Sequence, residues 1–192
     1  MTLKPLLALI TAAAFAAEAP VHTMGAANAP ITIELFSDFQ CPGCKELHET
    51  ILRDLRRTYV ATGKVRLVYR DIHLPMHKYA RLAACYACAA EKLGMYDQVA
   101  DKLFETQSQW DRTGKVDDAL AGVVPAPQML KLRAIAADPA TGHQVDSTTQ
   151  DAVKTGVSGT PTMLIRHGGK TNLIPLVSAP VLSRYLDMLL AQ

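Results

Sequence analysis

The residues of this sequence best placed to do chemistry are four cysteines in two pairs of identical spacing, Cys41-Pro42-Gly43-Cys44 and Cys85-Tyr86-Ala87-Cys88. Two thiols three positions apart can exchange a disulfide, hold a soft or borderline metal ion, or pack as small apolar side chains. What each pair does depends on the element that carries it. Residues 31–36 (ITIELF) read as a short strand, and from Pro42 the apolar positions Leu47, Ile51, Leu52 and Leu55 recur at helical spacing as far as Gly63. Cys41 therefore stands at a helix start. The free N–H groups and the dipole there favour an anion, so its thiolate should form well below the free value of about 8.5. Cys41 reads as the nucleophile, and Cys44, one turn further in, as the resolving thiol. Pro42 suits the first helical position and Gly43 adds no side chain, so neither supplies a cation.

The second pair lies inside ARLAACYACAAEK, a run of strong helix formers. Away from a helix start, Cys85 and Cys88 lose that electrostatic help, and a disulfide between them would strain helical geometry. They are expected to pack as small apolar residues, with a local structural disulfide as the alternative and a second reactive centre last. Ala89 stands where the haem-attachment pattern C-x-x-C-H requires histidine. His73 and His77 with Cys85 and Cys88 match no recognised zinc spacing, so no metal is expected. His48 follows Cys44 by one helical turn, but two turns separate it from Cys41, which favours a packing or surface role.

Glu34 interrupts an otherwise apolar strand. Buried, it would hold a raised pKa and accept the proton of Cys44; on the strand's solvent face, it would be an ordinary exposed carboxylate. The alternation of Ile31, Ile33 and Leu35 with Thr32 and Glu34 leaves both readings open.

The positioning elements follow from periodicity. A strand over 64–72 completes a strand–helix–strand unit of parallel βαβ size. Ala-rich periodic segments at 78–92, 95–109, 116–122, 127–138 and 144–154 read as a helical block, with Gly94, Gly114, Pro125 and Asp138-Pro139 as its punctuation. Strands over 162–166 and 172–177 flank the turn His167-Gly168-Gly169-Lys170, and 179–190 is an amphipathic helix with Pro180 in its first turn. Gly156-Val157-Ser158-Gly159-Thr160-Pro161 is a small-residue loop ending in proline at a strand's start, a common place for a cis peptide bond.

With 192 residues, 49% of them apolar, the chain can close a hydrophobic core and is not of disordered composition. Four cysteines are too few for a disulfide-stapled scaffold of this length. A net charge of +2 gives no reason to expect nucleic acid or an anionic membrane as partner. Lys4 precedes the apolar run Pro5–Ala17, and Ala14-Phe15-Ala16 offers a small-x-small cleavage pattern. Residues 1–16 are expected to be a secretory signal cut near Ala16, with an uncleaved anchor as the competing reading, since a permanent span needs about 20 apolar residues. Export would place the thiols in an oxidising compartment.

Together, FSDFQCPGC, VRLVYRDIHLPMH, the Ala-rich block and GVSGTPTMLI resemble the DsbA-like branch of the thioredoxin superfamily, over about residues 22–190. The resemblance implies an α/β thioredoxin fold with a helical insertion at about 76–154 between its βαβ and ββα halves, in one domain over 22–192. It implies that Cys41 and Cys44 are the redox pair, with a cis Pro161 against them and Thr160, Pro42 and Gly43 in contact with substrate. Main-chain pairing at Thr160 would tolerate many client sequences. Glu34 is similar in position to the buried acid of these proteins, with a slightly longer approach to Cys41.

The implied function is that of an exported, periplasmic or otherwise extracytoplasmic, dithiol oxidase without cofactor. It would act on reduced client proteins and be reoxidised by a membrane redox partner. Thr160 before Pro161 and Gly43 in place of the histidine of CPHC favour the alternative of an isomerase or reductase. Against it, only about fourteen residues lie between the proposed cut and Ile31, too few for the dimerisation domain of such isomerases. The third reading is a copper carrier using Cys41 and Cys44, but no Met–His cluster accompanies them.

Overall fold

The computed structural model describes residues 21–192, and the leader expected at 1–16 lies outside the described residues. A five-stranded sheet in the order β1-β3-β2-β4-β5 is built from β1 (Thr23–Met24), β2 (Ile31–Ser37), β3 (Val65–Asp71), β4 (Thr162–His167) and β5 (Lys170–Pro175). β2 and β3 run parallel, with Ile33 beside Leu67 and Ser37 beside Asp71; β4 lies antiparallel to β2, and β5 to β4. A parallel pair needs a crossover, supplied here by α1 (Pro42–Glu49), α2 (Ile51–Leu55) and a π-helical turn (Arg56–Val60).

Periodicity predicts one helix from Pro42 to Gly63, but the chain breaks at Thr50. Its hydroxyl donates to the Glu46 carbonyl at 2.6 Å, a local bond of the kind that competes with the helical ladder. The two-residue β1, unmarked in the sequence, caps the free edge of β3.

The helical block between β3 and β4 comprises α3 (Ala80–Lys92), α4 (Tyr96–Glu105), α5 (Gln107–Trp110), α6 (Val116–Leu120), α7 (Ala126–Ala136) and α8 (Pro139–Lys154). The segment expected as one helix over 95–109 divides at Thr106, whose hydroxyl turns back to the Lys102 carbonyl at 2.6 Å. Asp138-Pro139, expected as punctuation, starts α8 five residues early. Asp138 accepts the Ala140 N–H at 2.8 Å, and Pro139 fills the first helical position, where its missing N–H costs nothing. Alanines at 80, 83, 84, 87, 89 and 90 of α3 are fully buried, which lets α4, α7 and α8 approach it closely. Finally α9 (Ala179–Leu190) returns to the crossover, where the Tyr59 hydroxyl donates to Asp187 Oδ1 at 2.9 Å.

The two faces of the sheet differ, and this decides the site. Ile31, Ile33 and Leu35 of β2, with Val65, Leu67 and Tyr69 of β3, enter the main core. Each fully buried Leu or Ile there contributes about 1.5–3 kcal/mol. The alternate positions Thr32, Glu34 and Phe36 face the other side, where Phe36 joins Ile72, Ala152, Val157 and Leu164 in a small second cluster.

Candidate active site

The loop from β2 into α1 is built by Asp38. Its wholly buried carboxylate accepts the Gln40 N–H at 2.7 Å and the Leu74 N–H at 2.8 Å, and meets His77 Nδ1 at 2.9 Å. The Asp38 carbonyl accepts the Cys41 N–H at 3.0 Å. The helical block grips the loop from its other side. Gln107 Nε2 donates to the carbonyls of Phe39 (2.7 Å) and Cys41 (3.2 Å), and Gln40 is held by the Asp111 carbonyl at 2.7 Å and by the Tyr79 N–H. The insertion thus fixes the backbone that presents the first thiol.

Cys41 is the N-cap of α1, with extended backbone, and Pro42 occupies the first turn. Both thiols are free. The Cys44 thiol and the N–H groups of Gly43 and Cys44 outweigh burial and lower the Cys41 pKa to about 5, the Cys44 contact being the largest influence. Burial, reinforced by the Cys41 thiolate, pushes the Cys44 thiol in the opposite direction. Cys44 has no accessible surface, and its sulfur accepts the Asp38 N–H at 3.4 Å. One thiol is an anion near the surface and the other a buried neutral acid, the division of labour that thiol–disulfide exchange needs.

The Thr160–Pro161 peptide bond is cis. Cys41 Sγ lies 3.3 Å from the Thr160 carbonyl oxygen, to which it donates only when protonated, and the buried Thr160 hydroxyl has no hydrogen-bond partner. Gly43 lies on the same side. A Cβ added there would stand 3.3 Å from Pro161 Cδ and 3.7 Å from Leu176 Cδ2, so glycine lets helix and loop close together. Cys41, Gly43, Cys44, Thr160 and Pro161 are thus brought together, with Pro42 exposed beside them.

Glu34 is not brought to them. Although buried, it lies on the opposite sheet face and is bound by Arg70 at 2.7 Å and by Arg166. Because side chains alternate along a strand, Leu35, not Glu34, shares a crevice with Cys44. The proton-acceptor role expected for Glu34 is therefore corrected by its orientation. His48 pairs with Asp101 at 2.6 Å and packs on the Phe104 ring. His73 meets Asp146 at 3.1 Å and His77 meets Asp38, while Cys85 sits in the α3 core with the partly buried Cys88 packed against it, so these four do not converge. Asp38 carried a local sign, an Asx-turn residue just ahead of a helix. Nothing near Gln107 in sequence marks it as a clamp.

A sheet of this order, with paired thiols at its crossover helix and a cis-proline loop against them, is a thioredoxin fold carrying a helical insertion. Residues 17–172 match the family model described as thioredoxin, and the chain belongs to that family. Among solved structures it is similar to oxidised BdbD from Bacillus subtilis, with a TM-score of 0.74 and 20% identity over 88% of this chain and 92% of that one. Among curated proteins it is 32% identical to the Na(+)/H(+) antiporter NhaA 3 of Salinispora tropica, over 85% of this chain and 24% of that protein. It is also 27% identical to disulfide bond formation protein D of Bacillus subtilis, over 74% of this chain and 66% of that protein. The chain thus spans about a quarter of the antiporter's length.

Proposed function

We propose that this chain is an exported thiol–disulfide oxidoreductase that works as a dithiol oxidase on reduced client proteins. The observation that carries the reading is the asymmetry of the pair, with a Cys41 pKa of about 5 beside a fully buried Cys44 of raised pKa. A thiolate this stable is a good leaving group and makes the disulfide form oxidising, since Cys-x-x-Cys thiols run from about 7 in thioredoxin to about 3.5 in DsbA. A client thiolate attacks Cys41 Sγ of the oxidised pair and Cys44 leaves. A second client thiolate then attacks the client sulfur of the mixed disulfide, Cys41 leaves as thiolate, and two electrons have passed from client to enzyme.

The carbonyl of Thr160 and the flat ring of Pro161 offer an extended client segment a backbone partner beside the sulfur. The names of the Bacillus relatives support disulfide chemistry, and reoxidation is assigned to a membrane redox partner outside the cytoplasm. Among the described residues no helix is long and apolar enough to cross a membrane.

Two measurements test this. The Cys44→Ser variant should accumulate mixed disulfides with reduced client protein, and stoichiometric copper without such adducts would favour the carrier instead. The equilibrium potential should lie nearer about −120 mV than about −270 mV, and a value at the lower figure would turn the reading to a reductase. Thr160 ahead of Pro161 keeps the isomerase alternative in view, and scrambled-disulfide refolding measures it directly.

A further inference from the structure

With Glu34 facing away, the buried Cys44 needs another source for the proton it gains on leaving and gives up on attacking. Ser37 stands beside Cys44 in a crevice that both line, and its side chain favours the Cys44 anion. Ser37 is also the register neighbour of Asp71 across the parallel β2–β3 pair, on the same sheet face. Cys44, Ser37, Asp71 and Tyr96 line one narrow crevice, with His48 and Tyr69, that does not admit a water molecule, and Ser37 is the hydroxyl that neighbours Asp71 along the sheet. On its far side Asp71 lines a second cavity, wide enough for water, with His22, Glu91, Cys88 and Thr148. Asp71 is partly exposed and lines that cavity.

We propose that Asp71, acting through the Ser37 hydroxyl, stores the proton of Cys44 and exchanges it with solvent through the His22–Glu91 cavity. This rests on the exchange chemistry proposed above. When the client thiolate attacks Cys41, the S–S bond breaks and its electron pair leaves with Cys44. Ser37 gives its hydroxyl proton to that sulfur and takes the Asp71 carboxyl proton, leaving a carboxylate. On reoxidation the same proton returns.

The surroundings suit a store that both gives and takes. Burial raises the Asp71 pKa to about 7, against the Tyr96 hydroxyl, which donates to its two oxygens at 3.0 and 2.9 Å. Burial keeps Tyr96 and Tyr69 neutral phenols. The other groups facing Asp71 are Asp38 from the site loop, His48 beside Cys44 on α1, Cys88 and Glu91 on α3, and His22 ahead of β1. Burial opposes the His22 charge, but Asp97 and Glu91 outweigh it, so its pKa is raised.

The test is the rate at which dithiothreitol reduces the oxidised protein, followed from about pH 5 to pH 9 in the wild type, Asp71→Asn and Ser37→Ala. Below neutrality the protonated Asp71 helps Cys44 leave, and the wild type should outrun Asp71→Asn by about tenfold or more. Above about pH 7 the carboxylate repels the departing thiolate, so the ratio should fall to one or below. Ser37→Ala should lose the same limb of the profile. Profiles parallel to the wild type in both variants would overturn the proposal. A second measurement on the unaltered chain avoids any folding defect. The Asp71 carboxyl, titrated by carbon NMR, should have different midpoints in the oxidised and reduced forms, and one midpoint in both would overturn the coupling. Failure of the exchange reading itself would show separately, as a wild type that neither oxidises a peptide dithiol nor is reduced by dithiothreitol.

Discussion

At the residue scale, the two thiols of one short motif differ because one ends a loop and the other begins to be covered. Cys41 should be alkylated by iodoacetamide at pH 6 with a rate that titrates near pH 5, while Cys44 stays unmodified under the same conditions. Mass mapping of the labelled peptide checks this, and equal labelling of both would contradict the division of roles. Gly43→Ala should slow reaction with a peptide dithiol severalfold while leaving that titration in place, because the added methyl crowds Pro161 Cδ at 3.3 Å and meets Leu176 and Cys41 Sγ only at ordinary contact distances of 3.7 and 3.8 Å. Sequence spacing was enough to order these two thiols. It was not enough for Glu34, whose role turned on which way one strand residue faces.

At the scale of elements, the sheet and the insertion hold the site from opposite sides. Glu34→Gln leaves Arg70 and Arg166 side by side without their shared carboxylate and should cost about 1–2 kcal/mol in urea unfolding. The pH at which Cys41 titrates should not move, because the sheet lies between the two. Gln107→Ala removes the donor to the Phe39 and Cys41 carbonyls from the helical block and should cost a similar ~1–2 kcal/mol, read in the same unfolding experiment. It should also lower the peptide-oxidation rate, since the loop presenting Cys41 loses its clamp. Strands, helices and the insertion were legible from periodicity; the break at Thr50, the split at Thr106 and the early start of α8 were not. Each depends on one short side chain bonding its own backbone, which apolar spacing does not record.

At the scale of the whole molecule, the stabilised thiolate ties stability to pH and redox state. In the reduced protein the folded Cys41 pKa of about 5 lies below the unfolded value of about 8.5. The resulting stabilisation is fully present above about pH 8.5 and is lost as pH falls through about 5. The oxidised protein has no such thiol. The melting temperature of the reduced form should therefore rise relative to the oxidised form between these two pH values, and calorimetry of both forms checks it. A pH-independent difference would mean that the folded protein does not stabilise the thiolate.

The amino-acid sequence by itself determined the Cys41–Cys44 pair at a helix start, the small-residue loop ending in Thr160-Pro161 and the order of the surrounding elements. These follow from short-range physics: side-chain period, helix ends and proline. The tertiary structure alone decided that Glu34 serves the Arg70–Arg166 side of the sheet, that Gln107 clamps the Cys41 loop, and that Asp71 shares a crevice with Cys44. The physical reason is that sheet register and cross-element packing join residues distant along the chain, and a shift of one position in a strand moves a carboxylate from one face to the other.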